Sequence, residues 1–211
     1  MRGKLITFEG IDGSGKTTQI KLLAPWLREQ GIDVVVTREP GGTKIGEEIR
    51  SILHDSGNKG MTRETELLLF SAARSQLLKE VIMPALEAGK IVLCDRYIDS
   101  TYAYQGFGRG IAKWNVAKVV NASTYRIRPD LTFLLDVPIE IGAIRKYESG
   151  DELTRLDLEA LEFRTAVIEG YKDLVEWPVC DRWRVINGTL SIGMVFDSIC
   201  VSLSDMLGMD G

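Results

Sequence analysis

Apolar residues along the chain fall into short runs, separated by longer stretches with helical spacing. Residues 4–9 (KLITFE), 32–37 (IDVVVT), 90–95 (KIVLCD), 131–137 (LTFLLDV) and 182–187 are predicted as β-strands. Helices are predicted over 16–30, 45–54, 63–88, 113–122, 139–147, 158–177 and 191–207. Gly31 and Gly89 stop two of them, and Pro84 interrupts the longest. Strands that are apolar nearly throughout are buried on both faces, as in a parallel sheet. Helices between successive strands supply right-handed crossovers. The pattern predicts one three-layer α/β domain over residues 1–211. No internal repeat and no linker rich in Pro, Gly or Ser divides it. The last helix carries no Lys or Arg and is predicted to pack on the sheet.

The first strand runs directly into Gly10-Ile11-Asp12-Gly13-Ser14-Gly15-Lys16-Thr17, which matches GxxxxGK[ST] in full. Glycines let the backbone turn tightly and aim successive N–H groups at phosphate oxygens. The helix that follows adds the positive end of its dipole. Lys16 can reach the β and γ phosphates, and the Thr17 hydroxyl can ligate Mg²⁺. A purine nucleoside triphosphate with Mg²⁺ is the expected ligand. The cradle alone does not separate a kinase from a GTPase switch or a motor ATPase. Asp95 ends a predicted strand and is followed by Arg96 and Tyr97, so a metal-organising carboxylate stands beside a phosphate clamp. Asp136 ends another strand without such a neighbour and is read as structural. Asn58-Lys59-Gly60-Met61 begins like a guanine-reading NKxD segment but lacks the aspartate.

Charge narrows the partners. The 211 residues hold 26 Lys and Arg against 30 Asp and Glu, a net charge of −4. That disfavours binding to a nucleic-acid polymer, so cations for phosphate must be concentrated locally. Cys94, Cys180 and Cys200 form no metal-binding pattern and suit a reducing cytoplasm. No signal peptide is read at the start, and no apolar run approaches the ~20 residues that span a membrane. His54, the single histidine, is read as a surface or capping residue.

Residues 37–43 (TREPGGT) follow the second strand. They read either as a Pro-Gly turn or as an arginine held at a strand end to grip phosphate bidentately. FEGIDGSGKTT, TREPGGT, DRY and STYAYQG occur in this order, and from Leu5 to about Tyr171 the chain resembles the thymidylate kinase family. The resemblance implies a P-loop NTPase fold with a five-stranded parallel sheet and a cis peptide bond before Pro40. It implies Mg²⁺-dependent transfer of the ATP γ-phosphoryl group to dTMP, and a homodimer.

The implied ATP-binding residues are Gly10, Ile11, Asp12, Gly13, Ser14, Gly15, Lys16, Thr17 and Thr18, with Arg145 near adenine or the phosphates. Thr17 and Asp95 are the implied metal ligands. On the dTMP side, Arg38 would hold the phosphate, and Glu39 and Pro40 would shape the pocket. Asp12 would lie near the sugar, and Arg96 would bridge donor and acceptor phosphates. Phe70 would stack on thymine, and Arg74, four residues on and on the same helix face, would bond its carbonyl edge. Read without the resemblance, that pair is better taken as a core phenylalanine and a solvated arginine. Ser100 and Thr101 would line the base pocket, Tyr104 would pack under the deoxyribose, and Gln105 would lie beside sugar and base. Taken alone, Tyr104 and Gln105 also read as a helix face on the core. By the same resemblance, Tyr171 would close the nucleotide pocket.

Residues 145–156 correspond to the family's lid. Some relatives carry an arginine inside the P-loop where this chain has Gly13, so the transition-state cation is expected from the lid. Glu148 and Ser149 occupy positions where basic residues would be expected, leaving Arg145, Lys146 and Arg155. Arg155 is the predicted transition-state cation, and Gly150 a hinge. The predicted catalytic group is thus Lys16, Asp12, Arg38, Arg96 and Arg155. Asn187-Gly188-Thr189 reads as either an adenine-facing loop or an ordinary turn. The dimer surface is expected on long helices such as the one over 64–88. A kinase of dUMP or UMP is the nearest rival, and a non-catalytic nucleotide-binding switch the more distant one.

Overall fold

The computed structural model describes residues 2–150, 154–177 and 181–208. Strands β1 (Lys4–Glu9), β2 (Val34–Arg38), β3 (Ile91–Asp95), β4 (Leu131–Asp136) and β5 (Trp183–Asn187) form one parallel sheet in the order β2-β3-β1-β4-β5. Successive side chains of a strand point to opposite faces, and this sorts the core into layers. Ile6 and Phe8 of β1, Leu93 of β3 and Phe133 of β4 face α1 (Lys16–Glu29) and α9 (Ile192–Leu207). The terminal helix therefore packs on the sheet, through Val195, Ile199 and Leu203. Leu5, Val92 and Cys94 face the opposite layer. That layer holds α3 (Arg63–Leu77), α4 (Met83–Glu87), α5 (Ile98–Thr101) and α6 (Lys113–Thr124). Leu134 and Trp183 continue this face under α8 (Leu161–Val175).

Some predicted boundaries moved. Strand β2 begins at Val34 and reaches Arg38, because β3 supplies a pairing partner as far as Asp95. The helix predicted over 63–88 breaks earlier than Pro84, with a π-helical stretch at Leu78–Ile82 between α3 and α4. A proline ring collides with the carbonyl four residues back, and a widened turn relieves that collision. Residues 98–108, for which the hydrophobic pattern gave no element, form α5 and a second π-helical stretch at Tyr102–Gly108. Helices α2 (Lys44–His54) and α7 (Ile139–Glu148) flank the carboxyl ends of the strands. Thr43 caps α2, its hydroxyl accepting from the Gly46 N–H. Gly150, the expected hinge, has φ 69° just beyond α7, a left-handed conformation that suits a helix stop. Cys180 and residues 151–153 of the expected lid lie outside the described residues.

Candidate active site

The carboxyl ends of β1, β2 and β3 open into a cleft of about 800 Å³. Its floor is the loop joining β1 to α1. Gly10, Gly13 and Gly15 have φ of 131°, 76° and 99°, values that other residues rarely adopt. Gly15 precedes the unpaired N–H groups of the first turn of α1, an anion-binding geometry. The Lys16 ammonium arches over the loop and donates to the carbonyls of Gly10 (3.1 Å) and Ile11 (2.9 Å). Burial, and then the neighbouring Arg96 guanidinium, lower its pKa to about 8. Asp12 through Thr18 line the cleft; Ile11 turns to the other side.

The Thr17 hydroxyl donates to Asp95 Oδ2 at 2.5 Å. These two hard oxygen donors fit Mg²⁺, which takes few protein ligands and keeps waters and phosphate oxygens in its shell. Among the described residues no cluster of three His, Cys, Asp or Glu could hold a metal without such help.

A smaller cavity of about 110 Å³ adjoins the cleft. Phe70 and Arg74 of α3 line it together with Ser100, Thr101, Tyr104 and Gln105. The peptide bond from Glu39 to Pro40 at its edge is cis. Arg74 is 1% exposed. Its Nε donates to both Glu39 oxygens (2.8 and 3.1 Å), and its Nη2 to the Thr101 hydroxyl (2.7 Å) and the Tyr97 carbonyl (3.2 Å). Nη1 is buried without a hydrogen-bond partner among the described residues. An unpaired buried donor costs about 1–3 kcal/mol, so a ligand carbonyl meeting it there would be bound strongly.

Asp12, Glu39, Arg50, Arg96 and Lys146 line both the cleft and the cavity, and they mark the junction between them. Arg96 follows β3 in a left-handed conformation, φ 70°. Its guanidinium donates to Asp12 Oδ1 (2.8 Å), the Gly10 carbonyl (2.9 Å) and the Ser100 hydroxyl (3.2 Å), and lies 5.1 Å from the Tyr104 ring centroid. Desolvation in the cleft opposes the Asp12 charge, but Arg96 and then Lys16 hold its carboxyl well below the usual carboxylate range.

Behind Arg96 lies Glu9, which alternation along β1 turns toward α5 and α8. It accepts from the Tyr97 N–H (2.8 Å), the Ser100 hydroxyl (2.6 Å) and the Tyr171 hydroxyl (2.9 Å). Burial, reinforced by Asp99, pushes its pKa up to about 7.

Two predicted residues, Arg155 and Tyr171, take other places, and three more line the site while already paired to protein groups. Arg155 is 6% exposed and lines neither the cleft nor the cavity. Its Nη2 donates to Glu66 at 2.6 Å and its Nε to the Leu53 carbonyl at 3.3 Å. The predicted transition-state arginine is thus buried and paired with Glu66, a residue far away in sequence. Tyr171 lies behind the cavity, not over it, bonded to Glu9 and Ser100. Arg38 lines the cleft and is paired with both oxygens of Glu47 at 2.9 and 3.0 Å. Gln105 lines the cavity but gives its amide to Glu66 at 2.8 Å. Arg145 reaches the Gly188 carbonyl at 2.9 Å, and both residues line the far end of the cleft. Asn187 closes a local turn by accepting from the Thr189 N–H.

Glu9, Arg50, Lys146 and Asp157 stand at the site although no motif singles them out. Gly46 and Arg50 share a face of α2, a signal that was available. His54 lines the cavity instead of capping a surface helix, and burial and Arg50 lower its pKa to about 4.

A family model described as thymidylate kinase matches residues 8–199. The chain belongs to the thymidylate kinase family. A thymidylate kinase from Pelobacter propionicus is 52% identical over 202 residues, covering 93% of this chain and 92% of that protein. One from Geotalea uraniireducens is 47% identical over 195 residues, covering 90% and 91%. The crystal structure of thymidylate kinase from Ehrlichia chaffeensis superposes with a TM-score of 0.76 at 36% identity, covering 96% of this chain and 99% of that one. The sheet order and P-loop described above are therefore those of a thymidylate kinase fold, and this family member is a phosphotransferase.

Proposed function

We propose that the protein transfers the γ-phosphoryl group of ATP to dTMP, giving dTDP and ADP. The observation that carries this reading is the unpartnered Arg74 Nη1, buried in a cavity that Phe70 shares and that opens onto a P-loop cleft. A neutral pyrimidine would stack on Phe70 and give a ring carbonyl to Arg74. The large cleft then receives ATP. Lys16 and the backbone N–H groups of the loop hold its phosphates, and Arg145 with Gly188 borders the adenine end. Thr17 and Asp95 would hold Mg²⁺, which, when bound, offsets negative charge on the phosphates. Tyr104 supports the sugar, and Arg38 the acceptor phosphate. Arg96 stands at the junction, kept in place by Asp12, Ser100 and the Gly10 carbonyl. Tyr171 and Glu9 act as positioning residues through Ser100.

The reading includes a lid segment at about residues 145–156, in a protein that works as one unit. A homodimer in the cytoplasm is the proposed working state. Ile52 and Leu68, about half exposed on α2 and α3, offer an apolar surface for it. No described helix is long and apolar enough to cross a membrane.

Initial rates of ADP release with dTMP, dUMP, UMP and AMP, measured side by side, test the reading. dTMP should be the preferred acceptor. A higher kcat/KM for any of the other three, or ADP release that ignores the acceptor, would refute it.

A further inference from the structure

Phosphoryl transfer takes place where donor and acceptor meet. An oxygen of the acceptor phosphate forms a bond to the γ-phosphorus as the bond from that phosphorus to its bridging oxygen breaks. The electron pair leaves with ADP, no proton is gained or lost, and total charge is unchanged. Negative charge still crowds the three equatorial oxygens during transfer, and cations at that point lower the barrier.

Three cations line the junction of the two cavities: Arg50, Arg96 and Lys146. Two are already committed. Arg50 donates to the Pro40 carbonyl at 2.9 Å, and Arg96 to Asp12, Gly10 and Ser100. Lys146 differs. Its ammonium has an ion pair with Asp157 at 3.7 Å, too long for a hydrogen bond, and its charge also acts on Asp12. Among the described residues it has no hydrogen-bond partner. Asp157 is itself held by the N–H and hydroxyl of Thr154, at 2.8 and 2.7 Å.

An independent feature explains how Lys146 reaches the junction. Helix α7 rests directly on the P-loop through two glycines. A Cβ at Gly13 would lie 2.1 Å from the Gly142 carbonyl oxygen, and a Cβ at Gly142 would lie 2.7 Å from the Asp12 carbonyl oxygen. Neither contact could exist with a side chain present. Gly142 and Lys146 are four residues apart, so they share a helix face. The face that touches the P-loop is the face that carries Lys146. The Gly13–Gly142 contact thus brings a lid-borne ammonium to a loop whose tip has no side chain of its own.

We infer that Lys146 is the catalytic residue that stabilises charge on the phosphoryl group in flight, the role that the buried Arg155 does not fill. The inference rests on the dTMP kinase reading and deepens it. Lys146→Met keeps the aliphatic stem and removes the charge. It should lower kcat about 100-fold or more, the size of loss seen when one transition-state donor is removed. KM for dTMP and for ATP should stay within about threefold, since the contact strengthens only in the transition state. Lys146→Arg should recover most of kcat. Binding of ADP–aluminium fluoride with dTMP, a mimic of the transferring phosphoryl group, should weaken by a factor similar to the kcat loss, while ADP and dTMP alone bind as before. A Lys146→Met kcat within threefold of wild type overturns the inference. So does a loss confined to KM, or one that Lys146→Arg does not relieve. Wild-type enzyme lacking dTMP-dependent ADP release would instead sink the functional reading, so the two failures are distinguishable.

Discussion

Two buried arginine–glutamate pairs differ in what they leave unpaired; one lines the smaller cavity and the other does not. Arg74 is 2.7 Å from Glu39, and Arg155 is 2.6 Å from Glu66. All four side chains are nearly inaccessible to solvent. Arg74 keeps one nitrogen unpartnered beside the cavity. Arg155 instead joins a cluster in which Glu66 also takes Arg109 and Gln105, and its backbone N–H bonds the His54 carbonyl. One pair leaves a buried donor over, and the other is completed by protein. A buried arginine is therefore a candidate for binding only when a donor is left over, and its charge alone says nothing.

Breaking the pairs should separate them. Arg74→Ala is expected to have the largest effect. It leaves Glu39 buried without its partner, which typically costs 3–5 kcal/mol of stability. It also removes the base contact, so KM for dTMP should rise at least about tenfold. Urea unfolding and steady-state kinetics on the folded enzyme measure the two parts; an unchanged KM would remove Arg74 from the acceptor site. Arg155→Ala should come next, with a loss of similar size in stability alone. Its kcat and both KM values, taken below the unfolding transition, should stay within about threefold of wild type. A hundredfold fall in kcat would restore Arg155 to catalysis.

Glu9 sharpens the comparison as a third buried glutamate, here held mainly by hydroxyls and an N–H. Its folded-state pKa is raised to about 7 from 4.5. The folded protein therefore holds a proton that the unfolded chain has released, and stability falls as pH rises from about 4.5 to about 7. Glu9→Gln should flatten that fall by up to about 3 kcal/mol relative to wild type. His54 titrates in the opposite sense but is present in both proteins and cancels. Parallel stability–pH profiles for the two proteins would show that folding does not raise the Glu9 pKa.

Much of this was legible in the sequence. The strand, glycine turn and helix of the P-loop follow one another without a gap, so their geometry is local and the motif could be read directly. Phe70 and Arg74 needed only the spacing of a helix to be put on one face. The π-helical stretch at Tyr102–Gly108 was not legible, since its apolar residues fit neither period cleanly. Glu9 was hidden in an apolar strand, and its importance appears only when α5 and α8 bring Ser100 and Tyr171 to it. Lys146 and Arg155 looked alike as lid cations. What separates them is a glycine contact with the P-loop in one case and a glutamate 89 residues away in the other.

By itself the sequence determined where strands and helices form, which faces they bury, and that a phosphate cradle follows β1. Those properties depend on neighbours a few residues apart and on backbone preferences at single glycines. Only the tertiary structure decided which cations remain available to a ligand. A charge taken out of water must be matched by a partner, and packing can draw that partner from anywhere in the chain.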